Sequence, residues 1–482
     1  MYLAVQGALF ERVKSIQWPW AIVLCKFSDR PGEPQPVDFY EDLYTRHGTG
    51  GLADYWKDVS FGNVDLTGSR VFGWLTMNHT TAEVLQLTFP GQRDVLVQWG
   101  RDAAAAAGID LTPFRQVLVV HNYGVDHGAA GNGVVIVHQD PAVCEMGFIS
   151  HEMGHGFGLP HSNSANPDFV YGDGWDVMSF ATTTFQFPIT FRGSSGQATV
   201  GLNARNVDVL GVLEPSRRWS APAHDFSETV VFDPLNQPQI GNHGYLVAAV
   251  TRADGSHWTL EFRHKNGWDQ AIPEDAMILH EVRTNSLSYL QPGMWQRFTA
   301  GQSGTIPNPD VFFRVTSITA APPTATVRLW DLPNGSLRRE DSKPKVYLIE
   351  NGTKRWVTSP AVLAWLGKSW ADVRLVPDGA LTNLPDGTDV VIPATLTVSV
   401  TPYPLPPNRQ VTATVTAADQ STGALVAGRV LVNGADVAAT NTPFSHTFRA
   451  RRVGRPPDVE LIFPTVTVRA AGYPDADVDT GQ

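Results

Sequence analysis

The sequence predicts an α+β chain, with strands and helices interleaved over its first half and β-rich segments from there to its end. Three observations carry this expectation. Up to about residue 214, apolar residues switch between strand-like runs and helical spacing. From about residue 222, Val, Thr and aromatic residues alternate with polar ones between Pro/Gly turns. At 482 residues the chain exceeds one ordinary core, so several domains are expected. The expected division is 1–214, a β-rich domain 215–331, a polar Pro/Gly linker 332–344, a small hairpin–helix module 345–394, and a β-sandwich 395–482.

The first half begins with a strand over Trp20–Phe27. Phe39, Leu43, Leu52, Tyr55, Trp56 and Val59 then recur at helical spacing, and Gly48, Gly50 and Gly51 break them into two helices. Phe61–Thr67 and Val71–Met77 read as a strand pair. Asp94–Ala107 reads as a helix whose alanines serve propensity and close packing. Gln116–Val120 and Gly133–His138 read as strands, the latter expected at the sheet edge.

A helix follows that carries His151-Glu152-Met153-Gly154-His155, and then Gly156-Phe157-Gly158-Leu159-Pro160-His161. Residues four apart lie about 40° apart around a helix axis, so His151 and His155 can reach one ion from a single face. Glu152, about 100° round from His151, can flank that ion without binding it. Gly158 suits a left-handed helix end, and Pro160 keeps Leu159 out of helical geometry. The chain must therefore turn, and the turn can bring His161 back beneath the first two histidines. Three imidazoles with a fourth position left for water form the open arrangement of a catalytic zinc. Glu152 then stands where a general base would take a proton from that water. A zinc hydrolase is expected, acting on peptide bonds.

The spacing His151-Glu-x-x-His155-x-x-Gly158-x-x-His161 resembles the metzincin zinc metalloproteases. Their zinc helix is followed by a tight turn with a methionine beneath the metal, and Tyr171–Ser179 offers Met178 for that place. Some metzincins carry a tyrosine two residues after that methionine; here the position is Phe180. Leu52–Leu66 and Gly201–Leu213 are similar to segments of the gametolysin-like and immune inhibitor A-like secreted metallopeptidases. Trp258–Arg263, Gly267–Asp269 and Met277–Val282 resemble the β-rich region that follows such domains. The resemblance implies a metzincin (zincin-like) catalytic domain with a mixed sheet and active-site helix, followed by β-sandwich-type accessory domains. It also implies one catalytic Zn2+, an extracellular or cell-surface location, and protein or peptide substrates lying extended along the edge strand 133–138.

Other candidates are weaker. His121, Asp126, His127, His138 and Asp140 depart from the spacing of a structural zinc loop, and strand-end histidines explain them as well. Asp168, Asp173 and Asp176 suit a Ca2+ site or simple turn capping. Cys25 and Cys144 leave two readings open, buried free thiols or one disulfide. Glu261 and Arg263 read as a cross-strand ion pair. Val346–Val357 reads as a hairpin with an Asn-Gly turn, and Ser359 and Pro360 open a short helix. Trp356, Trp365 and Trp370 could stack on sugar rings, a cell-surface or glycan contact, but in so small a module a core role is the plainer expectation.

The net charge of −11, from 36 basic and 47 acidic residues, argues against nucleic acid as the main partner. No apolar run approaches the ~20 residues of a transmembrane helix. Met1–Trp20 has Glu11, Arg12 and Lys14 in its middle and lacks the order of a signal peptide. A non-catalytic surface or glycan-binding protein on the same scaffold is the rival expectation, though a scaffold has no use for Glu152. A hydrolase of non-protein amides is a third.

Overall fold

The computed structural model describes residues 16–480 except 89–90, 125, 167–170, 180–183, 241–243, 294, 308–309, 392–395, 421–422, 454–459, 463, 472 and 479. Strand outweighs helix, 38% to 16%, so the chain is α+β with sheets dominant. It divides into two compact units, residues 1–336 with 340–342 and 374–380, and residues 337–339, 343–373 and 381–482.

The first unit opens with β1 (Ile16–Gln17), β2 (Trp20–Lys26), α1 (Val37–Tyr44), α2 (Leu52–Val59), β3 (Val64–Asp65), β4 (Arg70–Thr76), α3 (Thr81–Val84) and α4 (Gln92–Ala106). Next come β5 (Gln116–His121), β6 (Gly128–Ala130), β7 (Gly133–Val137), α5 (Met146–Gly156) and β8 (Ser162–Ser164). Five strands form a mixed sheet in the order β4-β2-β5-β7-β6, parallel except for β6 against β7. The strand expected at the edge, 133–138, is thus internal, and the edge on that side belongs to Gly128–Ala130. Three small residues with no β-branched side chain carry no strand signal in sequence. Phe61–Thr67 and Val71–Met77 do not pair with each other either: β3 pairs with β1, and β4 with β2.

Side chains alternate across this sheet. Trp20, Ile22, Leu24, Leu118, Val120, Val134 and Ile136 pack on one face with Met153 of α5 and with Phe157, the residue after that helix. Ala21, Val23, Val117, Val119 and Val135 pack on the other with Leu96, Val97 and Ala104 of α4. Burial on both faces explains why β2 reads as an unbroken apolar run. Cys25 and Cys144 lie free and buried in these two different clusters, so no disulfide joins them. Desolvation pushes the Cys144 thiol up to about 12.

The hairpin β9 (Gln186–Phe191) and β10 (Ser194–Thr199) and helix α6 (Ala204–Val209) follow. Then come β11 (Arg218–Ser220), β12 (Ser227–Phe232), β13 (Val247–Thr251), β14 (His257–Arg263), β15 (Ala276–Val282) and β16 (Ser288–Leu290). The unit continues with β17 (Ser303–Ile306), β18 (Val311–Ala320) and β19 (Pro323–Asp331). One sheet runs β12-β19-β18-β17, and its Val230, Phe313, Val315 and Val327 share a core with Val250, Leu260 and Met277 of a second. That second sheet runs β11-β13-β14-β15-β16-β8. Its last strand comes from the first half of the chain. Ser162, Asn163 and Ser164 pair in parallel with Ser288, Tyr289 and Leu290. Strand pairing therefore crosses the expected boundary at 214.

In the second unit, the stretch expected as a linker supplies a strand residue by residue: Leu337, Arg338 and Arg339 pair with Leu348, Tyr347 and Val346. The Val346–Glu350/Thr353–Trp356 hairpin turns on Asn351 and Gly352, at φ 50 and 73, the left-handed pair an Asn-Gly turn requires. Ser359 accepts a hydrogen bond from Val362 N and caps the helix Pro360–Trp365. The core of this module is Leu337, Val346, Leu348, Val357, Val362, Leu363 and Val390. Trp365 and Trp370 lie outside it, 52% and 59% exposed, against the expectation that they form it. Beyond, one sheet of Leu396–Thr401, Gln410–Asp419 and Pro443–Thr447 and another built on Arg429–Val432 and Val466–Arg469 share one apolar cluster. Among the described residues no helix is long and apolar enough to cross a membrane.

Candidate metal centre

Helix α5 presents His151 and Glu152, and its end is set by Gly158 at φ +84. Gly158 N donates to His155 O (2.9 Å) and Leu159 N to Gly154 O (3.0 Å), the double closure of a Schellman turn. The reversal brings His161 to the other two histidines, with ring centroids 5.4 Å from His151 and 4.5 Å from His155. One nitrogen from each of the three lies within 4.8 Å of the others, and this is the group among the described residues that could hold a metal ion.

The donor set fits a cation. His151 Nδ1 lies 2.8 Å from Val177 O, and His155 Nδ1 3.0 Å from Leu159 O. A carbonyl only accepts, so both protons sit on Nδ1 and both Nε2 atoms carry lone pairs. These Nε2 atoms face each other at 3.2 Å. Two lone pairs at that distance repel unless a positive charge lies between them. Ligands of a tetrahedral zinc with bonds of ~2.0–2.1 Å stand about 3.3 Å apart, close to this spacing. Burial lowers the pKa of His151 and of His155, where the neighbouring His151 adds to the effect. His161 is lowered to about 4 by burial and the other two rings. The three imidazoles thus stay neutral, the form that binds metal.

Glu152 is buried, and desolvation raises its pKa. Its Oε2 accepts from Ala129 N of the free edge strand at 2.6 Å. Met178, fully buried, lies against α5 at Gly154, where a Cβ would collide with its sulfur. A Cβ on Gly156 would likewise collide with the Trp20 ring. Phe180 lies outside the described residues.

The histidines and Glu152 open into a cleft of about 800 Å³, also lined by Gln92, Arg93, Asp126, His127, Ala129, Phe148 and Tyr171. Arg93 pairs with Asp126 through Nε (2.9 Å) and Nη2 (3.1 Å). Tyr171 stands edge-on to His161, centroids 4.5 Å apart, and holds a left-handed φ of 69°. Sequence reasoning missed both as cleft residues; a tyrosine beside Gly172 in the turn was the available signal for the second.

Among the described residues the weaker candidates for a second metal are not brought together as a ligand group. His121 is fully buried and stacks on Phe27, while His138 packs edge-on to Phe39 and Tyr40. His127 lies on Phe148, Asp126 pairs with Arg93, and Asp140 caps Ala142 N. The calcium candidates also part. Asp168 lies outside the described residues, and Asp173 and Asp176 turn inward, fully buried. Asp176 Oδ2 accepts from Ser162 Oγ (2.7 Å) and Asn206 Nδ2 (2.6 Å), and Asp173 Oδ2 meets His280 Nε2 at 3.0 Å. Glu261 and Arg263 pair along one strand at 3.3 Å rather than across two, and Arg263 also grips Asp269 (2.7 and 2.8 Å). No protein-family model matches this chain, and no curated protein matches it.

Proposed function

We propose that the chain is a zinc-dependent endopeptidase of metzincin type, with His151, His155 and His161 as ligands and Glu152 as general base. The observation that carries this reading is the pair of Nε2 lone pairs held 3.2 Å apart, beside a buried carboxylate and in an open cleft. A zinc ion held there would supply Lewis acidity, polarising the scissile carbonyl and acidifying a water molecule. Glu152, made more basic by burial, takes the proton as the water oxygen bonds to the carbonyl carbon. It passes that proton to the amide nitrogen as the C–N bond breaks, and the second proton of the water follows, so a carboxylate and an ammonium leave. The free edge of Gly128–Ala130 offers main-chain groups to an extended peptide, and Ala129 N already bonds the base. Glu152→Gln should keep zinc and lose nearly all hydrolysis of casein or gelatin. Wild-type turnover by that variant would defeat the mechanism.

A second reading, a non-catalytic surface or glycan-binding protein, draws support from the exposed Trp365 and Trp370. A peptide library incubated with and without chelator separates the two.

A further inference from the structure

We infer that the six-stranded sheet is part of the metal centre, with Arg263 and His280 as positioning residues that hold the turn beneath the ligands. The inference rests on the metal-centre reading proposed for His151, His155 and His161. The turn Asp173–Ser179 meets His151 through Val177 O, which accepts from its Nδ1, and meets the helix that carries His151 and His155 at Gly154, through Met178. The sheet fastens that turn at three places. His280 Nε2 meets Asp173 Oδ2 at 3.0 Å. Arg263 Nη1 donates to Trp175 O at 2.6 Å. Arg263 also holds Asp269, whose Oδ1 accepts from Gly201 N (2.9 Å), and Gly201 O in turn accepts from Val177 N (3.0 Å). The third ligand is tied to the same sheet, because Ser162, the residue after His161, is paired with Ser288.

Arg263, Asp269, Glu261, His280, Asp173 and Asp176 are all fully buried. Well-packed apolar residues would stabilise a sheet core at least as well as buried ions do. What ions add is fixed geometry, and here their bonds end on main-chain atoms of the turn and on Gly201 N and Ala204 N. Groups that orient metal ligands from behind typically alter metal affinity ten- to a hundred-fold when removed, on the order of the effect expected here.

The coupling must be reciprocal, since what strengthens metal binding is strengthened by it. Two measurements on the full-length chain test this. Hydrogen exchange with and without zinc should show zinc slowing the amides of Gly201 and Ala204, which bond to Asp269 and Glu261. In competition with a chromogenic chelator, His280→Leu should bind zinc about tenfold or more weakly. His280→Gln, which restores a donor to Asp173, should recover most of that loss. Failure of the wild type to bind zinc would sink the metal-centre reading itself. Zinc bound tightly with the Gly201 and Ala204 amides unchanged would overturn this inference alone, as would a folded His280→Leu of wild-type affinity. If His280→Leu does not fold, the exchange measurement decides.

Discussion

His151 and Val177 are joined by a hydrogen bond of 2.8 Å between an imidazole nitrogen and a main-chain oxygen 26 residues away. It fixes the tautomer of one proposed ligand from the residue next to Met178, so histidine and turn move together. Truncating Met178 should therefore affect both stability and metal. Met178→Ala empties a fully buried site and should cost about 2–5 kcal/mol, whereas Met178→Leu, close in volume, should cost under about 1.5 kcal/mol. Urea unfolding measures the first effect, and chelator competition should show weaker zinc binding for the alanine variant.

Gly154 and Gly156 give an inverted helix-propensity test. Alanine stabilises a helix interior by about 1 kcal/mol over glycine. At Gly154 the new Cβ would collide with the Met178 sulfur, and overpacking costs about 1–3 kcal/mol. Gly154→Ala should destabilise on balance. Gly156→Ala should do so more, because the Trp20 indole is rigid where the Met178 thioether can bend. Equal or raised melting temperatures for both variants would contradict the packing described.

Tyr171 brings a phenol into the cleft on a backbone conformation that disfavours its side chain, a strain found most often where function needs it. Tyr171→Phe keeps the ring against His161 and removes the hydroxyl. Loss of one hydrogen-bond donor to a developing oxyanion costs roughly 10²-fold in kcat. The expected result is a fall in kcat with KM and zinc affinity little changed; unchanged kcat would make Tyr171 a packing residue only.

The three-histidine cluster was legible because its geometry is local: helix period, Gly158 and Pro160 act within eleven residues. The edge strand was not, since Gly128-Ala-Ala has no β-branched residue to mark it, whereas Gly133–Val137 is a run of Val and Ile that reads as a strand wherever it sits in the sheet. The buried ionic network was hidden by distance along the chain. Asp173 and His280 are 107 residues apart, and Glu261 and Ala204 57. Glu261 and Arg263 could be read as a pair and Asp173 and Asp176 as turn residues, but only the tertiary fold shows that His280, Asp269 and Ala204 N meet them. Trp365 and Trp370 misled for the opposite reason: aromatic content suggests core, yet leucine and valine fill that small core.

The network should carry a pH signature. Burial works against a charged His280, but Asp173 at 3.0 Å, with Glu261 at 3.8 Å and Asp176 behind, raises its pKa; Arg263, paired with Glu261, is the other cation there. A raised folded-state pKa contributes stability that is complete below the unfolded value of about 6.5 and lost as pH rises through the folded one. Asp176, pushed up to about 6 by burial and by Asp173, acts in the same direction, because its protonated form is favoured in the fold. Wild type should therefore exceed His280→Gln in melting temperature most clearly in mild acid, with the gap shrinking towards pH 9. A gap that widens on the alkaline side would mean His280 is buried neutral.

Two truncations should behave differently, one removing the β-rich segment and one sparing it. A chain ending at residue 214 strips β8 of its partner β16 and leaves Asp173 and Asp176 without His280 and the sheet that encloses them. It also removes Leu235, Leu246 and Val247 from the core that holds α5. A chain ending at Ser336 keeps both sheets. It loses Leu375, whose main-chain oxygen accepts from Ser227 Oγ and from Arg328 Nη2 (2.8 Å), both in exposed surroundings. It also loses Asp378 O, bonded to Arg314 Nη1 at 3.1 Å and likewise exposed. Hydrogen bonds of this kind are worth about 1 kcal/mol each, a loss a two-sheet core can absorb. The chain 1–336 should bind one zinc and cleave a short unstructured peptide near the full-length rate. It should lose activity mainly on large or surface-bound substrates, for which the second unit would raise local concentration. The chain 1–214 should bind zinc weakly or fail to fold. Chelator competition and peptide cleavage on the two truncations and the full chain give the comparison. Full activity from residues 1–214 would show that the sheet is an accessory after all.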